Sequence, residues 1–88
     1  MASAEVDREA AHAALRLIEE MIKEQRRRVI RLAQLLHPGL TDVDLRTLRD
    51  LPEVSADSSW QFEDGQLAGM VAAKLMLKAR LVDEEEAT

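Results

Sequence analysis

Residues Ala11–Leu36 read AHAALRLIEEMIKEQRRRVIRLAQLL, and this stretch decides the fold. Leu15, Ile22, Val29 and Leu36 recur every seven residues, with Ala11, Ile18 and Leu32 between them and Gln25 as the one polar rung. Apolar residues at this spacing line one face of a helix, and that face must be covered by another helix. The flanks extend the helix to about residues 3–36. Ser3 is a capping residue, and Glu5 and Asp7 suit the positive N-terminal end. Pro38 disfavours helical geometry at His37, and Gly39 permits the left-handed turn that closes the helix. At 1.5 Å per residue such a helix is about 50 Å long and needs a neighbour along most of its length.

The neighbour lies at the other end of the chain. A last helix is predicted over about 58–82, capped by Ser58 or Ser59, with an acidic tail over 83–88 that should fray. Leu67, Met70, Val71, Leu75, Met76, Leu77, Leu81 and Val82 cover more than one of its faces, and Lys74 and Lys78 mark a narrow solvated stripe. A helix that is apolar on nearly every side is a buried helix. Gly65, Gly69 and Ala73 fall four apart, a spacing that lets backbones approach closely.

Between the two helices lies a connector with a short helix over about 42–50, started by Thr41 and Asp44 and ended at Pro52. Leu45 and Leu48, with Val43 or Leu51, give it one apolar stripe, so it should fold over the open end of the hairpin as a lid. Ser55–Ser59 reads as a polar turn. Trp60 and Phe62, the only aromatics, should plug the bundle end against that lid, the alternative being an exposed aromatic anchor for another protein.

Composition narrows the class. Apolar residues make up 47% of the 88, aromatics only 2%, with three glycines and two prolines, which favours helices over strands. Chains of this size bury only about 60% of their unfolded surface. Cysteine is absent, so neither disulfides nor thiolate metal sites can staple the chain, which leaves helix packing and oligomerisation. A net charge of −5 argues against non-specific nucleic-acid binding. The first residues lack the basic-then-apolar pattern of a secretory signal, and Leu67–Val82 is too short and too charged to cross a membrane, so a soluble cytoplasmic protein is expected.

Four groups of residues merit a chemical reading. Glu9 and His12, three apart, share a helix face as in di-iron carboxylate bundles, where a second pair and further carboxylates such as Glu84 or Glu85 would complete the site. A solvated surface pair is the plainer reading of the same residues. Lys23, Arg26, Arg27, Arg28 and Arg31 could clamp phosphate or an acidic partner. Helical rotation spreads them, however, and pairs such as Glu19–Lys23 and Glu24–Arg28 are spaced for ion pairing. Gln25, polar in an apolar seam, should fix register or oligomeric state. The acids Asp42, Asp44, Asp50, Glu53, Asp57, Glu63 and Asp64 lack the glycine turn and terminal Glu of a calcium loop and suit solvation and helix starts.

The expectation is therefore an all-α protein: a long antiparallel helical hairpin with a short connecting helix, dimerising into a four-helix bundle. The expected interface between copies draws on Leu15, Ile18, Ile22, Gln25, Val29, Leu32, Met70, Val71, Leu75 and Val82, with Leu45, Leu48, Trp60 and Phe62 as the cap. The expected function is a non-enzymatic interaction module, a small dimeric scaffold, adaptor or regulatory subunit without a cofactor, whose partner is itself or another protein. The alternatives are a metal-binding, ferritin-like carboxylate bundle at Glu9 and His12 and, less favoured, a nucleic-acid-associated regulator.

Overall fold

A computed structural model describes residues 4–40 and 45–87, and the side chains of 8–40 and 46–83. Among these residues the chain is entirely helical: α1 (Ala4–Leu36), α2 (Leu45–Arg49), α3 (Pro52–Ser55) and α4 (Ser58–Ala87). The Ser3 cap, the Thr41–Asp44 start signal, Val43, and the side chains of Glu5, Asp7, Leu45, Glu84 and Glu85 lie outside the described residues. The molecule is elongated, 56 × 22 × 17 Å, because α1 and α4 run side by side.

The α1 seam does what its spacing requires. Ile22, Gln25, Val29 and Ala33 are buried, and Ile18, Leu32 and Leu36 are half-buried against the same cluster. What covers them is α4. Its inward side carries Trp60 and Leu67, seven apart, with Met70 and Val71 packed at the edge. Trp60 lies level with Val29 and Glu63 with Gln25, so the helices are antiparallel. Ile22, Gln25 and Val29 therefore belong to the seam within one chain and leave little for an interface between copies. One turn of chain closes α1: the His37 amide donates to the Ala33 carbonyl at 2.8 Å, and Gly39 adopts φ +104°. Only glycine takes that conformation without strain.

The connector is more structured than its sequence suggests. Pro52 does not end a helix but begins α3, occupying a first-turn position where its missing N–H removes nothing the helix would use. Val54 from α3 and Leu48 from α2 are fully buried in the α1–α4 core beside Trp60, so the lid exists, with Val54 as its second anchor.

The start of α4 corrects two expectations. The cap is Asp57, whose Oδ1 accepts the Trp60 amide at 2.9 Å, while Ser58 and Ser59 are exposed. The helix begins at Ser58, which puts Asp57 just before its first turn, where aspartate is among the best caps. Trp60 and Phe62 then both lie on the helix, two residues and about 200° apart, so only one can face the core. Trp60 does, and Phe62 is 63% exposed rather than part of the plug. At its far end α4 runs to Ala87, past the expected stop near Val82, since no glycine or proline interrupts Asp83–Ala87.

Candidate functional site

Polar groups concentrate at the lidded end of the hairpin, and each ties two elements together. Gln25 Nε2 donates to the Glu63 carbonyl at 2.8 Å and to Glu63 Oε2 at 2.6 Å. The polar rung is thus satisfied by α4 of its own chain and sets the register of α1 on α4. Trp60 Nε1 donates to the Val29 carbonyl at 3.2 Å, fixing the indole across the same two helices. Arg49 meets Asp64 through two hydrogen bonds, Nη2–Oδ1 at 2.9 Å and Nε–Oδ2 at 3.3 Å, joining α2 to α4. That side-chain hydrogen bond raises the Arg49 guanidinium above its ordinary value. Gln61 reaches back to the Ser55 carbonyl at 2.7 Å.

His37, just past α1, pairs through Nδ1 with Glu53 Oε1 at the start of α3. The Glu53 carboxyl is held below its usual range. Its own backbone amide contributes most, partial desolvation works against the shift, and His37 adds to it. These groups form a latch that seats the lid.

The residues read from the sequence as chemical candidates are placed as follows. Glu9 is exposed and His12 half-buried, and with Ala10, Ala13 and Arg16 they border an open hollow built from one helix alone. Among the described residues no group of three His, Asp or Glu could hold a metal ion.

The basic cluster divides. Arg27, Arg28 and Arg31 point outward beside Glu24. Lys23 and Arg26 instead border a groove of about 250 Å³ along the hairpin, with Lys74 and Lys78 of α4 on its other bank, Glu19 at one side and Ile22, Val71 and Leu75 lining it. Lys74 is half-buried there, facing α1, rather than in a stripe turned to solvent. Sequence reading missed that these cations border one groove because that depends on the antiparallel register, although the seven-residue step Trp60–Leu67–Lys74–Leu81 signals the inward side of Lys74. The ion pair formed by Lys23 is with Glu20 at 3.3 Å; among the described residues the expected Glu19–Lys23 and Glu24–Arg28 pairs are not made. Of the acids, Asp57, Glu63, Asp64 and Glu53 are engaged as cap, hydrogen-bond acceptor and ion-pair partners, and Asp42 and Asp44 lie outside the described residues.

The largest feature left over is apolar. On α4, Leu75 is 59% exposed, Met76 69% and Val82 50%, in addition to Phe62. Leu17, Met21 and Leu35 are exposed on α1. No helix among the described residues is long and apolar enough to cross a membrane. Set against models of known families, curated proteins and solved structures, the chain matches none of them significantly.

Proposed function

We propose that this chain is a non-enzymatic protein–protein interaction module that works as a homodimer: a small scaffold, adaptor or regulatory subunit. One observation carries the reading. After α1, α2 and α3 have packed on it, α4 still turns Phe62, Leu75, Met76 and Val82 to solvent along most of its length. Single exposed apolar residues are ordinary, but Phe62 and Met76 on one side of α4, with Leu75 and Val82 on its flank, give this helix apolar surface of the kind interaction sites present. Small size favours the same reading, since a hairpin of this length gains most of its missing stability by burying more surface on association. In this reading the lidded end, with its hydrogen bonds among Gln25, Glu63, Trp60, Arg49 and Asp64, is the rigid part that holds the interaction face straight. The protein works in the cytoplasm, a place supported by its lack of cysteine.

Size-exclusion chromatography coupled to light scattering, run from micromolar to near-millimolar protein, tests this. A mass of twice 9.9 kDa is expected. A constant monomer mass with cooperative melting would overturn the homodimer.

A further inference from the structure

Helix α4 carries a second seven-residue seam, on the side turned away from α1. Trp60 and Leu67 mark the side facing α1. At 100° per residue, Phe62, Gly65, Gly69, Ala72, Met76 and Ala79 fall on the opposite side, separated alternately by three and four positions. All six are exposed and none is charged. The two glycines have no reason to be there within one chain. A Cβ added at Gly65 or Gly69 would meet nothing within 4 Å, yet each glycine weakens the helix relative to alanine.

We propose that a second copy of this chain docks on this face, α4 against α4, antiparallel, with the two-fold axis between Gly69 and Ala72. The proposal rests on the homodimer reading above and names its surface.

The face is complementary to itself in that orientation. Helical rise places Phe62 level with Ala79 of the second copy, Met76 with Gly65, and Gly69 with Ala72, while Leu75 comes beside Ala68 on the flank. Phe62, Met76 and Leu75, exposed in the single chain, thus each meet a small residue. Parallel pairing would instead stack Phe62 on Phe62, Met76 on Met76 and glycine on glycine, alternating clashes with voids, and would set Asp83 against Asp83.

From Ser58 to Asp83 the strip is about 38 Å long and about one helix wide, which gives roughly 600 Å² per copy and roughly 1,200 Å² in all, the lower edge of stable interfaces. Because the seam lies opposite α1, the dimer is a layer of four helices, α1–α4–α4–α1, instead of a square bundle.

Gly69→Leu is the test. The position faces open space in one chain, so leucine leaves the hairpin helical, while at the two-fold axis it holds the copies apart. Dissociation is expected to weaken the dimer by on the order of 100-fold in sedimentation equilibrium, with helical circular dichroism retained. Leu17→Glu, on an exposed part of α1, should leave the dimer unchanged. A spin label on Arg80→Cys should report a partner label at about 30 Å if the helices are antiparallel, and at less than about 15 Å if they are parallel. A wild-type monomer at every concentration overturns both this proposal and the homodimer. A wild-type dimer that survives Gly69→Leu, that is broken by Leu17→Glu, or that gives the short distance overturns this face or orientation alone.

Discussion

Replacing Trp60 by phenylalanine should cost about 1.5–2 kcal/mol of folding stability, and replacing it by alanine about 3–5. The indole is 2% exposed, packed in one cluster with Val29, Ala33, Leu48 and Val54, so it touches the lid as well as both long helices. Phenylalanine keeps the ring on the same rotamer but removes roughly 40 Å³, and at about 24 cal/mol per Å³ the unfilled space accounts for about 1 kcal/mol. The lost hydrogen bond to the Val29 carbonyl adds about 0.5–1 kcal/mol, at the low end because that carbonyl also accepts an amide within α1 and is not left bare. Alanine removes the plug altogether and approaches the whole stability of a domain this small.

Urea titration followed by helical circular dichroism measures all three proteins at one fixed concentration, and the wild type can also be followed by its single tryptophan. Native emission should be blue-shifted and move to the red on unfolding. A native spectrum resembling free indole, or a Trp60→Ala protein within about 0.5 kcal/mol of wild type, would refute Trp60 as the plug.

Three further outcomes follow from the latch around the lid. Gln25→Leu should change stability by less than about 1 kcal/mol, because the Glu63 carbonyl keeps its bond within α4 and the half-exposed carboxylate can turn to water. Light scattering adds a second readout: a changed oligomeric mass would place Gln25 between copies instead of within one. Asp57→Ala should lower stability by about 0.5–2 kcal/mol by removing the cap on the Trp60 amide, whereas Ser58→Ala and Ser59→Ala should have little effect in the same thermal melts. Because the Glu53 carboxyl is held below its ordinary value of 4.5, its contribution is present above that pH and is lost as pH falls through the depressed value. Glu53→Gln should therefore be less stable than wild type near neutrality, with the gap closing in acid. A gap independent of pH from 6 down to 3 would show that ionisation is not what seats the lid.

The α1 seam was legible because its period is carried by large residues over four heptads, and burial of Ile22 and Val29 needs nothing beyond that period. The stop at Pro38–Gly39 was legible for an equally local reason, since φ at Gly39 is a property of the backbone. Local chemistry was misleading where two readings compete at one position. Pro52 can end one helix or begin another, and the burial of Val54 decides for the second. Ser58, Ser59 and Asp57 can each cap, and the point at which α4 starts chooses among them.

By itself, the sequence determined that this protein is helical, that two long helices pair, and where the first one ends, because these depend on period and backbone sterics along a few neighbouring residues. Only the tertiary structure decided which side of α4 faces inward, since that helix is apolar nearly all round and no periodicity within it prefers one side. Once Trp60 and Leu67 are seated on α1, the rest is fixed by rotation: Gln25 meets Glu63, Lys74 turns toward α1, and Phe62 and Met76 are left facing water.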